Sequence, residues 1–146
     1  MSERAASLSH LLGPLRRSLL RAAQGAGDLP DIPDAQIELL RTLAQSGGAT
    51  PGALATELGL ARSTVSNLVK TMASSGLVDR SLSDSDGRST VLSPSPAALA
   101  LLDRYDRASA TLLDEVFDRL SADERARIDR ALPVLQRLRD ELGRRA

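Results

Sequence analysis

Between residues 62 and 75 the apolar side chains fall at Val65, Leu68, Val69 and Met72. At about 100° per residue these four occupy one sector of a helix. Ser63, Asn67, Lys70 and Ser74 fall opposite, Ser66 and Thr71 flank that face, and Arg62 stands at the N-terminal end. The spacing predicts an amphipathic helix from about Arg62 to Ser75, stopped by Gly76. A shorter helix precedes it. Thr50-Pro51 is a start signal, a hydroxyl N-cap followed by proline at the first helical position, and Leu54 and Leu58 carry the apolar face to Gly59. Leu77-Val78 opens a strand through about Leu82, Ser83 to Gly87 forms the turn, and Ser89 to Ser93 returns. Pro94 and Pro96 end that strand, and Ser95 can cap the helix that follows.

The flanks read as longer helices. Residues 5 to 24 place Leu8, Leu11, Leu12, Leu15 and Leu19 on one stripe, and Gly13-Pro14 predicts a kink or a late start. QGAGDLPDIPD is a linker, and a helix with Ile37, Leu40 and Leu43 in phase runs from about Pro33 to Gln45 before Gly47-Gly48. Two helices close the chain. The first, from 97 to 120, uses Leu99, Leu102, Leu113, Val116 and Leu120. The second follows the capping box Ser121-Ala122-Asp123-Glu124 and carries Ile128, Leu132, Leu135, Leu138 and Leu142, with Pro133 predicting a bend or break. The fold class is therefore mainly α with a small β-hairpin wing. The expected division is a winged helix-turn-helix domain over 30–94, with 1–29 and 95–146 forming a helical dimerisation region in one compact chain.

Composition narrows the chemistry. The 146 residues contain no cysteine, which excludes disulfides, thiolate metal sites and a thiol redox sensor. Tyr105 and Phe117 are the only aromatics, so Leu, Ala, Val and Ile must build the core. The opening MSERAASLSHLL lacks the apolar run of a signal peptide, and no 18-residue apolar stretch follows, which predicts a cytoplasmic protein without a membrane partner. His10 is the single histidine and has no partner motif, and no metal spacing, phosphate loop or nucleophile elbow is present. The sequence thus predicts neither an enzyme nor a metal or cofactor site.

Nineteen basic and nineteen acidic residues leave no net charge, and every basic residue except Lys70 is arginine. The balance is not uniform. From 61 to 78 there is no acid, so the polar face of the helix at 62–75 is locally positive through Arg62 and Lys70. Small side chains there allow close approach to a DNA major groove. Asn can pair with adenine, Arg with guanine, and Ser or Thr with bases or phosphates. Taken alone, the same helix is equally an ordinary amphipathic helix with a polar outer face. Helix, tight turn, helix and hairpin in sequence favour the DNA-binding reading. Arg88, just past the turn, can enter a narrow minor groove or hold phosphate, or it can pair on the surface with Asp84 or Asp86.

The order PDAQIELLRTLA, then LATELGLARSTVSNLVKTMASSGLVDR, then SDSDGRSTVLS and a long helix resembles the MarR family of winged-helix transcription regulators. The resemblance implies a homodimer held by the first and last two helices, with two winged domains on a pseudo-palindromic site. It implies recognition contacts at Arg62, Ser63, Thr64, Ser66, Asn67 and Lys70, a wing arginine at Arg88, and wing support from Asp86 and Gly87. The dimer stripes would be Leu8, Leu11 and Leu15, with Leu132, Leu135, Leu138 and Leu142. The chain departs from the family pattern at Ser83 and Ser85, where the family usually has an aspartate and often a basic residue, and at Asn67, where arginine is common. Many members release DNA when a small aromatic or lipophilic molecule binds, which implies an effector but names none. The partners expected are double-stranded DNA, a second copy of the chain and such an effector, in a regulator read as a repressor. The competing reading is a winged-helix module that binds protein instead of DNA.

Overall fold

The computed structural model describes residues 2–26, 28–83 and 88–145. The elements are α1 (Glu3–Ala26), α2 (Asp34–Ser46), α3 (Pro51–Leu58), α4 (Arg62–Ser74), β1 (Val78–Leu82), β2 (Thr90–Pro94), α5 (Pro96–Phe117) and α6 (Ala122–Gly143). They group into two compact units, one of residues 31–103 and one of the chain up to Pro30 together with Arg104–Arg145.

In the unit of residues 31–103 the core comes from the apolar phases of three short helices. Ile37, Leu39, Leu40 and Leu43 of α2 are buried, as are Leu54 and Ala55 of α3 and Val65, Val69 and Met72 of α4. Fully burying a Leu or Val side chain is worth about 1.5–3 kcal/mol, so these positions fix which face of α4 turns inward. The helix ends follow local chemistry. Thr50 Oγ1 accepts from the Ala53 N–H, and Pro51 fills the first helical position. Gly59 closes α3 at φ 63°, a left-handed conformation that a side chain would disfavour.

β1 and β2 pair antiparallel, with Arg80 opposite Leu92 and Leu82 opposite Thr90. Leu92 has a partner on its other side as well. It exchanges two backbone hydrogen bonds with Ala49, at 2.9 and 2.8 Å. The preceding Gly48 sits at φ 127°, and a Cβ there would lie 3.3 Å from the Leu92 carbonyl oxygen. The close approach of backbone to backbone therefore requires glycine. Ser95 then joins β2 to α5. Its hydroxyl donates to the Gly76 carbonyl at 2.6 Å and accepts from the Ala98 N–H at 3.1 Å, while its own N–H donates to Leu77 O.

The other unit is built differently. Tyr105 is buried, and its hydroxyl donates to the Pro30 carbonyl and accepts from Gln24 Nε2. Arg104 donates to the Asp28 carbonyl at 3.1 Å. The Gly- and Pro-rich linker is thus held through its carbonyl groups. At the start of α6, Ser121 Oγ accepts from the Glu124 N–H and the Glu124 carboxylate accepts from the Ser121 N–H at 2.8 Å, the reciprocal capping box.

One alternative of each proline expectation is excluded. α1 does not start late at Pro14, since it begins at Glu3 and passes through the proline, and α6 is not broken at Pro133. Each proline removes one hydrogen bond, to the carbonyl four residues earlier, at His10 and Asp129. Both of those residues are exposed, so water can take the place of the missing donor. α5 also ends at Phe117, leaving Leu120 in the turn before α6.

Candidate nucleic-acid interface

α4 turns one face inward and the other to solvent. Val65, Val69 and Met72 are buried and Leu68 is half-buried, whereas Arg62, Ser63, Thr64, Ser66, Asn67 and Lys70 are all exposed. Ala61, the N-cap, supplies no side-chain acceptor, so the first N–H groups of α4 stay available to an external anion.

The hydroxyls on this helix divide into two sets. Thr71 donates back to Asn67 O at 3.2 Å, Ser74 to Lys70 O at 2.9 Å and Ser75 to Thr71 O at 2.8 Å. Ser63, Thr64 and Ser66 make no hydrogen bond of their own among the described residues. The N-terminal half of the exposed face thus presents free donors and acceptors beside the Asn67 amide. The C-terminal half has folded its hydroxyls onto the helix. With no acid between 61 and 78, nothing on α4 offsets the charges of Arg62 and Lys70.

Arg80 belongs to the same neighbourhood and was missed by the sequence reading. Opposite Leu92 in the hairpin register, it lines a hollow with Pro51, Ser66, Val69 and Thr90. The signal was available: two residues on from the buried Val78, strand alternation returns Arg80 to the helix side of the sheet. Arg88 is described and exposed, but Asp86 and Gly87, expected to support the wing, lie outside the described residues.

The leucines expected at a dimer interface lie on α1 and α6. Leu8 and Leu138 are half-buried, and Leu11, Leu15, Leu132, Leu135 and Leu142 are 58, 55, 50, 40 and 57 % exposed. α6 buries no residue at all within its own chain. Between α1 and α5 lies an apolar hollow of about 280 Å³, walled by Leu15, Leu19, Ala22, Leu112, Leu113 and Val116.

Among the described residues no group of His, Cys, Asp and Glu is placed to hold a metal ion, and no helix is long and apolar enough to cross a membrane. One carboxyl departs from ordinary behaviour. Glu124 is held below the usual glutamate range, first by the Ser121 backbone N–H and then by the Ser121 hydroxyl.

A buried helical triad, an exposed helix lacking acids and a short antiparallel hairpin together define a winged helix-turn-helix of the kind found in transcription regulators. Residues 31–89 match the family model described as MarR family. An uncharacterized HTH-type transcriptional regulator of Mycobacterium leprae is 32% identical over 106 residues, 73% of this chain and 74% of the relative. The chain belongs to the MarR family, whose members are transcription regulators and not enzymes. Solved structures agree on the fold. A MarR family protein from Bacillus stearothermophilus superposes with a TM-score of 0.75 at 24% identity, over 96% of this chain and 99% of that one. A MarR mutant from E. coli complexed with operator DNA gives 0.63 at 20% identity, over 90% and 95%.

Proposed function

We propose that this MarR-family regulator binds double-stranded DNA sequence-specifically, as a homodimer on a pseudo-palindromic operator, and acts as a repressor released by a small lipophilic or aromatic ligand. The observation that carries DNA binding is the exposed face of α4, with free hydroxyls at Ser63, Thr64 and Ser66, the Asn67 amide, Lys70 and no nearby acid. That the E. coli relative was captured with operator DNA supports the same reading. Neutral net charge is no obstacle, because a dimer presents two copies of a locally positive face while most acids lie elsewhere in the chain.

The uncovered leucines of α1 and α6 support a second copy as partner. The hollow between α1 and α5 offers apolar space to a ligand, with Glu115 and Arg119 at its edge to meet a polar group. A repressor of this kind works in the cytoplasm. The test is selection of DNA fragments by the purified chain, followed by gel shifts with and without metabolite extract. An enriched palindrome that extract displaces supports the whole reading. Enrichment that extract leaves unchanged removes the effector, and no enrichment turns the reading toward a protein-binding module.

A further inference from the structure

Arg62 does not extend along the outward face of α4. Its guanidinium lies back over α3, where a Cβ placed on Gly52 would stand 3.4 Å from Nη2, 3.7 Å from Cζ and 3.9 Å from Nε. There it borders a hollow of about 340 Å³, lined by Thr50, Pro51, Gly52, Arg62, Ser89 and Thr90. Among the described residues no carboxylate lines the hollow, and Arg62 makes no ion pair. Thr50 Oγ1 accepts from the Ala53 N–H and so keeps its own proton to donate elsewhere. The Thr90 hydroxyl, on the first residue of β2, has no partner among the described residues.

A cation facing two hydroxyl donors, set between the start of α3 and the base of the wing, suits a tetrahedral anion better than the flat edge of a base. Base reading needs the guanidinium to point out of the groove-facing surface in the plane of a guanine. Here it is turned toward Gly52 at the start of α3. We propose that Arg62, with Thr50 and Thr90, holds a backbone phosphodiester of the DNA, and that sequence reading is left to the middle of α4. This rests on the DNA-binding reading above and changes the role of one residue within it. Arg62 becomes a contact that sets register and affinity, not base identity.

The test uses the full chain, a duplex carrying its selected site and a duplex of random sequence, each over a range of salt. Arg62→Ala should weaken binding to both by the same factor and lower the slope of log affinity against log salt by about 0.9 per bound protomer. Arg62→Lys should recover most of the loss, since an ammonium also holds phosphate but cannot pair bidentately with guanine. Replacing single phosphates by neutral methylphosphonates should reveal one step per half-site at which the wild type falls to the level of Arg62→Ala and the variant loses nothing further. All variants should melt with the wild type, because Arg62 is exposed. A changed preference at one base pair in Arg62→Lys, or losses that add in full at every methylphosphonate, overturns the phosphate assignment while DNA binding stands. Failure of the wild type to bind either duplex overturns the DNA reading itself, and the assignment with it.

Discussion

The hydroxyl of Ser95 donates to the carbonyl of Gly76 at 2.6 Å, across nineteen positions of sequence. Gly76 is where the chain leaves α4, and Ser95 is where it enters α5, so one buried side chain locks the exit of α4 to the next long helix. Because the same oxygen accepts from the Ala98 N–H, it both caps α5 and satisfies the loop. Ser95→Ala should cost about 1–2 kcal/mol, the sum of a lost cap and a lost hydrogen bond. Urea unfolding monitored by circular dichroism checks this, and an unchanged midpoint would show that the bond contributes nothing.

Asn67 and Lys70 sit one turn apart on the exposed face of α4 and should fail differently. Asn67→Ala should relax sequence preference, with about 1–3 kcal/mol of discrimination lost at one base pair of each half-site. Lys70→Ala should lower affinity evenly across sequences and reduce the salt slope by about one per contact. Binding to single-base variants of the selected site at two salt concentrations separates the two. Equal losses on every sequence for Asn67→Ala would show that it reads no base.

Much of this site could be read before any coordinates. The Val65, Leu68, Val69, Met72 phase identifies the inward face of α4, and Thr50-Pro51 and Ser121-Ala122-Asp123-Glu124 mark helix starts through chemistry that acts within three residues. What escaped the sequence acts at longer range. The Ala49–Leu92 pairing is a single residue wide and leaves no alternation to detect. The Tyr105 bond to Pro30 O links positions 75 apart. The direction of the Arg62 guanidinium is set across the turn, where it lies against Gly52, ten residues away. That the helices continue through their prolines has a related reason. The residues whose carbonyls lose a donor, His10 and Asp129, are exposed, and that exposure is set by tertiary structure.

On α6 the exposed leucines should be covered by a second copy. Light scattering at micromolar concentration should give twice the 15.5 kDa chain mass. Leu135→Asp combined with Leu138→Asp should give monomer, or unfolded and aggregated protein, because an unpaired charge buried at an interface costs several kcal/mol. A wild type that scatters as a monomer would contradict the dimer.

The capping box at the start of α6 should titrate. Glu124 has a depressed carboxyl pKa because its charged form is stabilised first by the Ser121 backbone N–H and then by the Ser121 hydroxyl. A carboxyl depressed in the folded state stabilises it above the unfolded pKa, and that stabilisation is lost as pH falls through the folded value. Carbon-detected NMR should place the Glu124 midpoint below the ordinary glutamate value, and Ser121→Ala should move it upward. A midpoint that ignores the Ser121 substitution would show that the hydroxyl does not act on it.

The central claim is that the outward face of α4 reads DNA sequence. Selection of random duplexes by the purified chain, run in parallel with Asn67→Ala, tests it most directly. The wild type should enrich a palindrome whose half-sites are centred about one helical turn apart, on the order of 10 base pairs. Asn67→Ala should enrich the same spacing with preference lost at one position per half-site. No enrichment by the wild type, or an identical motif from the variant, would contradict it.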